Sequence, residues 1–392
     1  LPILILNIRQ ASNTIIIKRL VYTHYLNSSL QLMYICDRIL DISLPKIGEK
    51  SLFTKDLEDA LAGDRVDFVV HSLKDLPTSL PDGLGIGAVF EREDPRDALV
   101  LREDLKDHTL ATLPQGSVIG TSSLRRTAQI RGSYPQLTVS DVRGNLNTRL
   151  RKLDAGGQYA ALMLAKSGLA RMGWENRVSK VLPCSEMLYA IGQGALAVEC
   201  RSDNGRILNM LNPFNHAETY CRVLAERSFL KRLGGGCSAP VGVSTTLKPI
   251  DTQHKLTIIG AVWSIDGKTK IHHKLEHTFD QIKITPKHKL SPEAEYDCKK
   301  LKTSLEPNNS AGNYNDLITD NPSSCVDLRS EEEILALKQL HCGLTKNYNL
   351  LNDVIIKCEQ LGIELANVLI ENGALEVMKV TQDLIASSIQ RS

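Results

Sequence analysis

The chain has 392 residues, of which 42% are apolar and 5% aromatic, with 47 basic against 45 acidic side chains and a net charge of +2. That length suits two or three domains, and the near balance of charge argues against a protein that coats nucleic acid or lies on a membrane through a basic surface. Nine cysteines, an odd number with no Cys-x-x-Cys pair, argue against a disulfide framework or a zinc ribbon and fit a reducing, cytoplasmic setting.

The opening Leu1-Pro-Ile-Leu-Ile-Leu6 is too short for a membrane helix and lacks the basic flank of a signal peptide. From about residue 50 to 200, short apolar runs alternate with helical patterns. Residues 67–71, 117–120, 137–142 and 160–165 read as strands, and 52–62, 124–131 and 145–154 as helices. Such alternation predicts mixed or parallel sheets with flanking helices, where ligands bind beyond the carboxyl ends of the strands. The most polar segments fall at those ends: His71-Ser-Leu-Lys-Asp75, Thr121-Ser-Ser-Leu-Arg-Arg126 and Arg143-Gly-Asn145. Gly192-Gln-Gly-Ala195 is a glycine turn leading into a strand at 196–199.

After Gly205 the pattern changes. A helix over 217–233 runs into Gly234-Gly-Gly-Cys-Ser-Ala-Pro240, and strands follow at 241–246, 255–264 and 271–278, suggesting a separate α+β domain. Residues 285–345 are polar and aperiodic and read as an insertion. Helical periodicity resumes over 351–370 and stops at Asn372-Gly373.

Local charge is less even than the total. Between Thr121 and Arg151 stand six arginines (Arg125, Arg126, Arg131, Arg143, Arg149 and Arg151) and one acid, Asp141. Ser122 and Ser123 at a helix mouth offer hydroxyls and free N–H groups to an anion. Arg143 precedes a helix on which Asn145 and Arg149 share a face. Guanidinium forks hold carboxylates bidentately, so converging arginines suit a ligand with many carboxylates; the plainer reading is a solvated basic face.

Asp75, beside Lys74 at a strand end, is placed to protonate a leaving amine or to stabilise positive charge; it equally suits a turn cap before Leu76-Pro77. Cys237 follows three glycines that remove steric bulk, so a large group can approach its sulfur for covalent attachment. A small buried cysteine is the alternative. His272, His273 and His277 have no partner at ligand spacing and read as strand-surface residues, not a metal site.

Taken together, these segments resemble the hydroxymethylbilane synthase (porphobilinogen deaminase) family. The matching stretches are Lys46-Ile-Gly-Glu-Lys-Ser-Leu-Phe-Thr-Lys55, Val69-Val-His-Ser-Leu-Lys-Asp-Leu-Pro77, Gly120-Thr-Ser-Ser-Leu-Arg-Arg126, Val142-Arg-Gly-Asn-Leu-Asn-Thr-Arg149, Arg171-Met-Gly-Trp174, Gly192-Gln-Gly-Ala195 and Gly235-Gly-Cys-Ser238. The resemblance implies two similar α/β lobes, of periplasmic-binding-protein-like architecture, and a smaller α+β third domain. Their expected bounds are 1–92 with 192–215, then 93–191, then 216–392.

It further implies a transferase of tetrapyrrole and haem biosynthesis that joins four porphobilinogen molecules head to tail, releasing ammonia, on a dipyrromethane primer. Cys237 would carry that primer through a thioether, and Asp75 would assist loss of ammonia. Lys74, Ser122, Ser123, Arg125, Arg126, Arg143, Asn145, Arg149 and Arg171 would bind the acetate and propionate groups of primer and substrate. Gln193 and Gly194 would form the return crossing into the first lobe. A cytoplasmic monomer is expected, with no metal, nucleic acid or membrane partner.

Residues 1–31 do not show the family's opening Gly-Thr-Arg-x-Ser-x-x-Ala, so a sheet lacking its first strand is expected. An impaired or N-terminally truncated paralogue that only binds polycarboxylates is therefore the alternative reading. Single-stranded nucleic-acid binding ranks last, because Tyr134 is the only aromatic among the arginines.

Overall fold

The computed structural model describes residues 8–11, 14–17, 49–234, 240–280 and 340–390. Three sheets organise them. The first has the order β1-β2-β3-β10-β4, built from β1 (Ile8–Ala11), β2 (Thr14–Ile17), β3 (Phe68–Ser72), β4 (Leu84–Val89) and β10 (Leu196–Arg201). Helix α1 (Glu49–Ala62) packs its Leu57 and Leu61 against Val69 and Leu84. On the other face, Ile207, Leu208 and Leu211 of α5 (Gly205–Leu211) meet Val70, Ala88 and Val198.

The second sheet has the order β7-β6-β8-β5-β9, from β5 (Asp97–Leu101), β6 (Val118–Gly120), β7 (Thr138–Ser140), β8 (Ala161–Ala165) and β9 (Lys180–Val181). Helices α2 (Leu124–Ser133), α3 (Leu146–Asp154) and α4 (Lys166–Arg171) follow β6, β7 and β8. The sheets are mixed: β6 runs parallel to β7 and β8, whereas β5–β8 and every described pair of the first sheet are antiparallel. The chain returning from the second lobe as β10 inserts between β3 and β4, and that return accounts for two of the antiparallel pairs.

The third sheet is a meander of β11 (Val241–Ile250), β12 (Gln253–Trp263) and β13 (Lys270–Asp280). Helix α6 (Ala217–Arg232) is buried from Tyr220 to Phe229 at nearly every position, so its polar residues there need internal partners. It packs against α7 (Asn352–Glu371), whose Leu361, Leu365 and Leu369 form the periodic stripe legible in the sequence.

Several expectations change. Gly373, with φ +89, ends α7, but a further helix α8 (Ala374–Gln390) follows at once. Residues 340–345 do not belong to a loose polar insertion: Cys342 and Leu344 are buried, Ile86 N donates to Gly343 O at 2.8 Å, and Thr345 N donates to Ile86 O at 3.0 Å. Ile86 and Leu344 thus form a parallel bridge at the edge of the first sheet. The rest of that expected insertion, 285–339, lies outside the described residues. Beside β3, where the missing opening motif led to the expectation of a lost strand, the β1–β2 hairpin pairs Thr14 with His71 and Ile15 with Val70. Among the described residues, no helix is long and apolar enough to cross a membrane.

Candidate functional site

The site begins where β3 ends. Phe68-Val-Val-His-Ser72 is a buried strand, and its last carbonyls run into a single 3-10 turn, Leu73–Asp75. Leu73 N donates to Ala195 O at 3.0 Å and Leu76 N to Leu73 O at 3.1 Å, fixing the half-buried Lys74 and Asp75 at the end of the strand. Gly192 lies against this turn. A Cβ there would stand 3.0 Å from Leu73 Cγ and 3.2 Å from Lys74 N, and φ is +71, so glycine is required twice over. The glycine turn and the Lys74–Asp75 turn are therefore one packed unit.

Gln193 and Gly194 complete the crossing. Gln193 Nε2 donates to Pro95 O at 2.7 Å and to Asp97 Oδ1 at 2.8 Å, and Glu93 N donates to Gly194 O at 3.2 Å. The two segments that pass between the first and second sheets, at residues 93–97 and 192–195, are thereby tied to one another.

Asp97 is the residue that motif reading missed. It is fully buried and receives Arg125 Nη1 at 2.6 Å on Oδ2, and Arg126 Nη2 at 2.7 Å on Oδ1. Burial alone would raise its pKa, but the two guanidiniums hold the carboxyl below its ordinary 3.8. A signal was present: an acid opening the otherwise apolar Asp97-Ala-Leu-Val-Leu101 announces a buried pair. Arg125 also donates to Leu188 O at 2.6 Å and Arg126 to Met163 O at 2.8 Å. Both arginines expected to grip ligand carboxylates are thus already engaged with an internal one; two cations to one anion leave the group net positive.

Arg149 differs. Its Nε donates to Gly144 O at 2.8 Å, and among the described residues it forms no ion pair. Burial first, then the neighbouring Arg126 and Arg143 cations, lower its pKa from 12.5. A partly buried guanidinium beside other cations, with no acid of its own among the described residues, is suited to an incoming carboxylate. The donor set therefore fits a polyanionic group such as a carboxylate-bearing dipyrromethane.

The remaining expected residues are placed as follows. Arg143 is exposed and meets Asp141 Oδ2 at 3.0 Å. Asn145 caps α3, its Oδ1 accepting from Thr148 N at 2.9 Å, which is a structural use of that side chain. Ser122 Oγ donates to Val142 O at 2.9 Å, and Ser123 is the N-cap residue of α2 without a side-chain cap bond. Arg171, at the end of α4, crosses between lobes: Nη1 lies 3.4 Å from Ser72 Oγ, Nη2 donates to Gly194 O at 3.2 Å, and Nε is 2.8 Å from Glu93 Oε2. His272 and His273 are exposed on β13, and His277 faces Glu364 at 2.9 Å. Cys237 lies outside the described residues; the chain leaves α6 at Gly234 and re-enters at Pro240, next to β11.

Known protein families match most of the chain. The family profile described as porphobilinogen deaminase, dipyromethane cofactor binding domain, matches residues 9–209, and that of the porphobilinogen deaminase C-terminal domain matches 220–288. The porphobilinogen deaminase of Synechococcus elongatus is 52% identical over 261 residues, covering 64% of this chain and 80% of the relative. Those of a Nostoc species and of Gloeobacter violaceus are each 53% identical, over 60% and 59% of this chain and 71% and 70% of their own lengths. A profile match over more than half of the chain, with relatives about half identical over 70–80% of their own lengths, identifies the chain as a member of the porphobilinogen deaminase family.

Proposed function

We propose that this chain carries out its family's reaction, the condensation of porphobilinogen with loss of ammonia into hydroxymethylbilane, with Asp75 as the catalytic carboxylate and Cys237 as the attachment point of the dipyrromethane. The observation that carries this reading is Arg171, whose guanidinium ties Ser72 and Gly194 together beside the Asp75 turn. An arginine from the end of α4 thus reaches the strand end that carries Lys74 and Asp75, which supports a cleft shared by the two sheets.

The chemistry follows from these residues. Arg149, Arg143, Lys74 and the net-positive Arg125–Arg126–Asp97 group draw in and orient the substrate's two carboxylates. Asp75 lies beside the substrate's aminomethyl group. It provides the proton as the C–N bond breaks, and ammonia leaves. Its carboxylate then faces the cationic carbon left behind and lowers that ion's energy until the new carbon–carbon bond forms. A dipyrromethane held at Cys237 would supply the nucleophilic pyrrole carbon that begins the chain, its ring proton passing to the Asp75 carboxylate as the bond forms, and water would finally cleave the finished product from the primer. Gln193 and Gly194 hold the crossing strands while Arg171 restrains the two lobes. The protein works as a cytoplasmic monomer in this reading.

Intact mass spectrometry after incubation with porphobilinogen tests it. The wild-type chain gains a covalent two-pyrrole adduct, and Cys237→Ala does not. An unmodified wild-type chain that still binds polycarboxylates would replace catalysis with anion binding alone.

A further inference from the structure

Adjacent residues of α6 serve two different clasps. Glu226 takes Arg92, Thr245 and the backbone N–H of Gly192. Arg227, about 100° further round the helix, turns toward the first lobe. It is 1% exposed, and its three nitrogens donate to three backbone carbonyls: Nε to Cys342 at 2.9 Å, Nη1 to Leu76 at 3.2 Å and Nη2 to Pro77 at 2.5 Å. Among the described residues no carboxylate forms an ion pair with it. Burial lowers its pKa to about 10, which leaves it charged at neutral pH.

Desolvating a cation to satisfy neutral carbonyls is an unfavourable way to stabilise a fold, so the position of those carbonyls matters. Leu76 and Pro77 immediately follow Asp75, and Pro77 has no N–H with which to anchor itself. The turn is held on its upstream side by the β3–β10 ladder and Leu73 N to Ala195 O. On its downstream side Arg227 binds both carbonyls through the two terminal nitrogens of one guanidinium. The third carbonyl belongs to Cys342, at φ +53, in the segment that bridges β4.

We infer that Arg227 is a positioning residue: from the third domain it sets the downstream half of the Asp75 turn and locks residues 341–344 to it, so that the catalytic carboxylate's placement depends on a helix outside its own lobe. The inference rests on the assignment of Asp75 above. A planar fork is needed to reach two carbonyls at once, and a lysine ammonium is not its equivalent.

The test compares Arg227→Gln and Arg227→Lys with Asp75→Asn and with the Arg227→Gln/Asp75→Asn double variant, all normalised to the adduct-bearing fraction measured by intact mass. Displacing a reacting group by about 1 Å can lower a rate about 100-fold. Arg227→Gln should approach that loss in kcat with KM nearly unchanged, and Arg227→Lys should not restore it. Because both changes act on one carboxylate, the double variant should be no slower than Asp75→Asn. Wild-type kcat per loaded molecule in Arg227→Gln, or losses that multiply in the double variant, would overturn the positioning role alone. An unimpaired Asp75→Asn would remove the assignment beneath it and the inference with it. If the Arg227 variants do not fold, hydrogen exchange on the wild-type chain decides: peptides covering 73–78 and 341–344 should open as one unit, and independent exchange refutes the coupling.

Discussion

Arg92 and Glu226 form a bidentate pair at 2.6 and 2.9 Å with 1% and 0% of their side chains exposed, and the same carboxylate accepts the N–H of Gly192 at 2.8 Å. One acid on α6 therefore holds both strands that pass between the lobes. Breaking such a pair by removing one partner leaves a buried uncompensated charge, which costs about 3–5 kcal/mol. Glu226→Gln should lower the urea midpoint accordingly, and Glu226→Gln combined with Arg92→Met should be less damaging than Glu226→Gln alone. Equal destabilisation by both would show that the pair's charge is immaterial.

The pH dependence of stability has a defined sign. Burial opposes ionisation of Asp97 and Glu226, yet the guanidiniums facing them hold both below their ordinary 3.8 and 4.5. Groups whose folded pKa is depressed contribute stability above their unfolded pKa and lose it as pH falls toward the folded value. Urea midpoints should therefore be level from neutrality to about pH 5 and then decline, since unfolded carboxyls titrate near 4. Asp97→Asn should decline less steeply. A variant curve parallel to wild type would exclude Asp97 as a contributor.

Among the described residues Arg149 has no acid of its own, so removing it should affect ligand more than fold. At about 1.5–3 kcal/mol per charge-assisted bond, Arg149→Gln should weaken porphobilinogen binding by about 10- to 100-fold while the melting temperature stays near that of wild type. Added salt should weaken binding in the wild-type chain more than in the variant. A large drop in melting temperature with unchanged KM would make Arg149 structural.

Asp75→Asn should retain the covalent adduct and slow turnover by about 100-fold or more, the usual contribution of a positioned acid. Steady-state kinetics with porphobilinogen, on protein whose mass shows full loading, gives the answer directly. Unimpaired kcat would take Asp75 out of the reaction.

Gly194 offers a backbone test. Its φ is +85, and a Cβ would stand 2.6 Å from Glu93 O. Gly194→Ala should add strain of about 1–3 kcal/mol and shift the carbonyl that accepts Arg171, loosening the link between lobes. A higher rate of proteolysis at the crossing strands would report it; unchanged proteolysis and melting would show that the crossing tolerates the shift.

Much of this protein was legible in one dimension because its chemistry is carried by contiguous motifs. Short apolar runs and period-3.6 patterns located β3, β6, β8, α2, α3 and α7, and glycine and arginine spacing picked out the candidate site residues. Strands β4 and β5 escaped notice: two glycines interrupt the apolar run of the first, and an acid opens the second. Residue type alone also left the role of each arginine open, since a guanidinium reads the same whether it awaits a ligand or holds a neighbour. Tertiary structure made that division. It gave Arg125 and Arg126 to Asp97, left Arg149 without an acid among the described residues, and sent Arg227 across to the carbonyls of Leu76 and Pro77, 151 and 150 residues away in the chain. Local sequence determined which groups are present and which element carries each; partners so distant in sequence are chosen by packing and by the need to satisfy every buried polar group, which only the folded chain resolves.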